Sequence, residues 1–216
     1  MGLLSDYAQN KVNDAIHRGQ PLGAPATMYY ALLKCTKGAR ANSTVYALND
    51  TVAVTANDAK IHLYKVTTAG ISAAAQSTLY PGVANEVITD GTAVLTEQNS
   101  ALDSNSAAIV EPSGGGYARV AVVASLANWS GTQGAGTTVA SSGTTGQSSN
   151  NIAITFAAPS ADWIAGTERV WGWAMFDAAS AGNLWEWAPL SALQAITNGQ
   201  AAPSFLAAAI STTIGN

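Results

Sequence analysis

The stretch "ERVWGWAMFDAASAGNLWEWAPL" (168–190) decides the fold class. Two apolar runs rich in tryptophan, 168–177 and 184–190, flank a small-residue interval in which Gly182 and Asn183 supply turn chemistry, so the stretch reads as two strands of a hairpin. Trp171 and Trp173 stand two residues apart, as do Trp185 and Trp187. A period of two places each pair on one face of its strand, and the pairs are expected to meet across the hairpin. An aromatic patch of that size is either the core of a sandwich or a subunit interface.

Working outward, "TMYYALLKC" (27–35) is a nearly continuous apolar run of strand length, read as a strand buried on both faces. "YARVAVVASL" (117–126), "NIAITF" (151–156) and "SFLAAAISTTI" (204–214) are further strand candidates bounded by Gly, Pro, Asn or Asp. Short strands with turn signals and little helix predict an all-β fold, a β-sandwich or jelly-roll-like core. The one helix is N-terminal and amphipathic. Leu4, Tyr7, Ala8, Val12, Ala15 and Ile16 recur at helical spacing, Ser5 or Asp6 can cap the first turn, and Gly19 and Pro21 end it. A single short helix is not stable in water, so its stripe must dock on its own domain or on a partner. Leu4, Tyr7, Val12 and Ile16, with Trp171, Trp173, Trp185 and Trp187, are therefore the candidate assembly contacts. Residues 130–150 lack periodicity and carry one large apolar side chain, Val139, and are read as a long loop or arm.

Composition narrows the function. Charged residues make up 10% of the chain, against roughly 25% in average domains, which suits a surface covered by copies of itself or by neighbours. The net charge is −4 and the only basic residues after Lys65 are Arg119 and Arg169, so no basic face is available for nucleic acid. Cys35 stands alone in an apolar run, as a buried structural thiol does. No apolar run approaches the roughly 18 residues of a membrane span, and no secretory signal is read, which fits assembly inside a cell.

"LLSDYAQNKVNDAIHRG", "APATMYYALL", "GGGYARVAV", "NIAITFAAPSADW" and "FDAASAGNLWEWAPL" occur in that order. Over about residues 3–34 and 113–214 they resemble a family of small tailed-phage structural proteins usually labelled tail fibre proteins. The resemblance implies a non-enzymatic virion component assembled in the bacterial cytoplasm, with other virion proteins, major capsid or tail proteins, as partners. It implies a homo-oligomer, a trimer by the type of protein, and offers no catalytic residue. It leaves two positions open, a tail-fibre-like component or a head decoration (cement) subunit.

The chain departs from that family at about 41–111, where its members pass through a short loop. "STVYALNDTVAV", "IHLYKVTTAGISA" and "LYPGVANEVITDGTAVLTEQ" resemble a small β module of phage and other surface proteins. Asp90-Gly91 signals a turn, and Tyr64 and Val66 alternate with Lys65 and Thr67 as in a half-buried strand. The expected domains are a discontinuous β core (1–40 and 112–216) and an inserted module (41–111) hosted in a loop at one end of the core and displayed outward. The module also resembles small carbohydrate-binding modules, which makes a glycan-binding adhesin the alternative function. Tyr64 reads as core; Tyr80 is the candidate sugar contact.

Catalytic and metal chemistry is not evident in the sequence. His17 and His62 have no acidic or Cys partner at metal-ligand spacing. Asp162, Glu168, Asp177 and Glu186 fall at strand ends and turns, where solvated carboxylates are ordinary. "SGGGYAR" (113–119) lacks the Gly-Lys-Ser/Thr ending of a phosphate loop and leads into a strand. No enzyme, cofactor or metal is expected.

Overall fold

In "TMYYALLKC" the side chains of Tyr30 and Leu32 enter one apolar cluster, while Ala31, Leu33 and Cys35 enter another. This period-two split makes the strand the centre of a layered molecule. The computed structural model describes residues 3–76, 80–99, 102, 106, 108–143 and 145–214. The chain begins with β1 (Leu3–Leu4), α1 (Asp6–His17) and β2 (Thr27–Cys35). Then come β3 (Val45–Tyr46), β4 (Thr51–Thr55), β5 (Ile61–Thr68), β6 (Gly70–Ile71), β7 (Val87–Asp90) and β8 (Ala93–Glu97). The remainder holds β9 (Val120–Val123), β10 (Trp129–Ser130), β11 (Gln147–Asn150), β12 (Ile154–Thr155), β13 (Arg169–Phe176), β14 (Leu184–Gln194), β15 (Ser204–Phe205) and β16 (Ser211–Thr213).

The fold is all-β with one N-terminal helix, as the sequence predicts. A five-stranded antiparallel sheet, in the order β1-β14-β13-β2-β9, forms the middle layer. The small sheets β10-β11-β16 and β12-β15 lie over one face, contributing Trp129, Ile154 and Phe205 to the first cluster, with Ile210 just before β16. Over the other face lies the sheet β4-β5-β8-β7, which contributes Ala53, Ile61 and Leu63 to the second. The opposite face of that third layer holds its own core of Val52, Val54, Tyr64, Val66, Tyr80 and Leu95. The β4-β5-β8-β7 sheet is thus packed along a face of the middle sheet.

The hairpin β13–β14 forms as read, with Ala181 and Gly182 at positive φ and the Asn183 backbone and side-chain amides both donating to Asp177. The facing of its tryptophans differs from the expectation. Trp171 is an extra residue on β13 relative to β2, and Trp185 is an extra residue on β14 relative to β13. Each bulge inverts the alternation. Trp173 and Trp185 therefore enter the first cluster, while Trp171 and Trp187 enter the second, with ring centroids 6.1 Å apart. A Cβ on Gly172 at the first bulge would stand 2.9 Å from the Ala188 carbonyl oxygen, which explains the glycine.

Helix α1 is capped by Ser5, whose Oγ accepts from Ala8 N at 3.1 Å and donates to the Leu184 carbonyl. Leu4 belongs to β1, opposite Glu186, and not to the helix face. Only Ala8 of the helix is buried. Tyr7 packs edge-on against Trp185 at 5.6 Å, Val12 is half-buried, and Ile16 is 69% exposed. The first turn holds the helix, and the second half of the expected stripe faces outward. In the expected loop 130–150, the stretch 131–146 is irregular among its described residues, but Gln147–Asn150 is a strand, paired with Thr213–Ser211.

Candidate functional site

A cleft that brings polar side chains together lies where the third layer meets β14 and β15, with a volume of about 780 Å³. Its polar wall starts from the β4–β5 hairpin, closed by Ala56 N donating to Lys60 O at 2.9 Å with Ala59 at positive φ. Beyond that turn, His62 of β5 sits between two carboxylates. Its Nδ1 is 3.0 Å from Glu97 Oε1 and its Nε2 is 3.1 Å from Asp58 Oδ2. Glu97 Oε1 also accepts from Asn99 N (2.8 Å), and Glu97 Oε2 from Asn85 N (3.1 Å). With carboxylate oxygens at both ring nitrogens, His62 satisfies both contacts only as the doubly protonated imidazolium. The bond to Glu97 and that to Asp58 hold its pKa above the ordinary value against the opposing effect of burial. Burial would raise the Asp58 carboxyl, but the Lys60 N–H and His62 outweigh it and hold it below the usual range.

The other wall is apolar, with Trp173, Trp187, Leu190 and Phe205. Asn99 is occupied within the wall, accepting from Leu63 N and donating to Ile61 O. The polar groups of the cleft thus bind one another. The arrangement is a charge-assisted latch joining β5, β8 and the 56–60 and 82–86 turns. Among the described residues no set of three His, Cys, Asp or Glu side chains is placed to hold a metal ion. The sequence shows no acidic partner for His62 at metal-ligand spacing; the structure places two carboxylates on it as hydrogen-bond partners. Asp58, four residues earlier across the turn, was the available signal, whereas Glu97 reaches His62 only through β5–β8 pairing.

Two further polar centres hold the layers. Arg40 Nε and Nη2 meet Asp90 Oδ2 and Oδ1 at 2.8 and 2.9 Å, and Asp90 also accepts from Ala73 N and Tyr80 Oη. Tyr80 is 1% exposed and packs edge-on against Tyr64 at 5.0 Å, so it is core and no sugar contact. At the seam where 113–119 returns to the sheet, Gly115 takes positive φ, and a Cβ there would stand 2.3 Å from Ala161 O. Its carbonyl accepts from Trp163 Nε1 at 2.8 Å. Glu111 accepts from Arg119 and from Tyr117 Oη, and the Arg119 guanidinium lies 3.6 Å from the Phe176 ring centroid.

The expected assembly residues divide. Trp171, Trp173, Trp185 and Trp187 are buried within the chain and act as core, the first of the two readings. Of the helix residues, Ile16 offers free surface. The four carboxylates weighed as an acid/base set are engaged separately: Glu168 with Lys34, Asp177 with Asn183, Asp162 with Asn198 N, and Glu186 in β14 opposite Met175.

The molecule is a layered all-β protein with a second β unit laid on its middle sheet. The family model described as Podophage GP4 fiber I protein gp80 matches residues 93–213. The chain belongs to that family of phage fibre proteins, and is a virion component with a structural, tail-fibre-like role. No curated protein matches it. No helix among the described residues is long and apolar enough to cross a membrane.

Proposed function

We propose that the chain is a non-enzymatic, homo-oligomeric subunit of a tail fibre of a tailed phage, assembled in the host cytoplasm, in which residues 41–111 form an inserted module carried on the outer side of the core. The observation that carries this reading is the family match, which takes in both strands of the β13–β14 hairpin and the whole layer built from β10, β11, β12, β15 and β16. The ion pairs are internal braces: Lys34–Glu168 ties adjacent strands of the middle sheet, Arg119–Glu111 ties the segment entering β9 to itself, and Arg40–Asp90 ties the chain leaving β2 to the end of β7. The module contributes an exposed cross-strand apolar pair, Val45 opposite Ile71, on the β3–β6 ribbon. An antibody raised against the 41–111 segment, applied to intact particles in electron microscopy, is expected to label the tail. Label over the head would place the protein as a decoration subunit, and no label on particles shown to contain the protein would contradict outward display.

A further inference from the structure

Beyond helix α1, which covers the first face at Trp185 and is charged, the two small sheets over that face are built from chain that carries no ionisable side chain. Asp, Glu, Lys, Arg and His are all absent from Val120 to Ala161 and again from Trp187 onward. On this surface Leu126, Ile152 and Leu206 are exposed by 51, 39 and 69%. Two asparagines gather them. The buried Asn150 side chain donates to Ile152 O and Leu206 O at 2.8 Å each and accepts from Ile210 N at 2.8 Å. Asn151 donates to Leu126 O and Thr137 O, and its Oδ1 accepts from Gly136 N at 2.7 Å, which lays Gly136 and Thr137 of the arm beside the same spot. Asn128 Nδ2 donates to Val123 O at 2.9 Å. The adjoining strand β9 is the outermost strand of the middle sheet, with the sequence Val-Ala-Val-Val. It lacks the charges with which edges are normally blunted.

We propose that this charge-free layer is the face through which copies of this chain associate with one another. A contiguous exposed apolar patch without charge marks an interaction surface. Its polar remainder is Ser, Thr, Asn and Gln, side chains that both donate and accept, so one copy of the face can satisfy another. A charged partner would find no counter-ion on it. Each chain carries a net charge of −4, and contact through this face brings copies together with the fewest like charges opposed. The inference deepens the proposed fibre-subunit role by naming its self-association surface.

The test is sedimentation velocity of the purified full chain over a dilution series, with an Ile152→Lys/Leu206→Lys variant and, as control, a Val45→Lys/Ile71→Lys variant on the β3–β6 ribbon. The wild-type chain and the control are expected to self-associate alike. The Ile152/Leu206 variant, in which lysines face an apolar contact, is expected to dissociate with a constant raised at least about tenfold per lysine. Hydrogen exchange of the wild type is independent of any folding defect in the variants: protection of 120–152 and 204–214 is expected to fall on dilution while that of 45–71 stays constant. A wild type monomeric at the highest concentration, an unchanged association constant in the Ile152/Leu206 variant, an equal loss in the control, or dilution-independent exchange overturns the proposal. These outcomes leave the virion fibre role standing, since that depends on the presence of the protein in the particle; a monomeric wild type removes only its homo-oligomeric part.

Discussion

Arg40 and Asp90 form a bidentate ion pair whose side chains are each 1% exposed, and it joins the chain leaving β2 to the turn between β7 and β8. Tyr80 Oη and Ala73 N take up the remaining acceptor capacity of the carboxylate. Removing one partner leaves a buried charge alone. Arg40→Met is expected to destabilise the protein by about 3–5 kcal/mol, read as a fall in the urea midpoint. Arg40→Met/Asp90→Asn should recover part of that loss. An Arg40→Met midpoint equal to wild type would show that the pair does not hold the third layer.

The His62 latch gives stability a pH dependence with a defined sign. Bonding to Glu97 and Asp58 raises the folded-state pKa above the ordinary 6.5. The contribution is therefore fully present below that value and is lost as pH rises through the folded-state value. Denaturation midpoints measured between about pH 6 and 9 should decline for the wild type, and His62→Gln should remove about 1 kcal/mol of that decline. A His62→Gln profile parallel to wild type would rule out the latch.

Glu186 acts in the same direction for a different reason. Burial beside β1 raises its carboxyl to about 7. The folded state thus favours the protonated form, and stability falls as pH rises from the ordinary 4.5 through about 7. Glu186→Gln is expected to stabilise the protein at pH 8 by about 1–2 kcal/mol and to leave it little changed at pH 4, after allowance for partial solvent screening. Thermal melts at the two pH values measure this.

Arg119 binds Glu111 through two nitrogens, donates to Ala178 O and Ala181 O, and covers the Phe176 ring. Lysine supplies the charge without the planar fork. Arg119→Lys is expected to cost about 1–3 kcal/mol. Hydrogen exchange should show the loss at 111–119 and 178–183 first.

Where apolar runs and turn residues agree, the fold was legible. β2 matches 27–35 at both ends, Gly182-Asn183 closes the hairpin, and Asp90 faces Ala93 across the turn that Asp90-Gly91 signals. What escaped depends on contacts distant in sequence. A strict period of two cannot register the extra residues Trp171 and Trp185, so the tryptophan faces came out inverted. Gln147–Asn150 has no apolar pattern; it becomes a strand because Thr213–Ser211 lies beside it and Asn150 ties the layer together. Tyr80 looked available because its partners, Asp90 and Tyr64, approach only in the folded module. The same holds for His62, whose second carboxylate arrives from β8.

The central claim, a structural subunit of the phage tail, is tested most directly by quantitative mass spectrometry of purified, salt-washed particles against the major capsid protein. The protein is expected in every preparation at a few to a few dozen copies per particle. Its absence from washed particles would contradict the structural role, and hundreds of copies would contradict the tail position and assign it to the head.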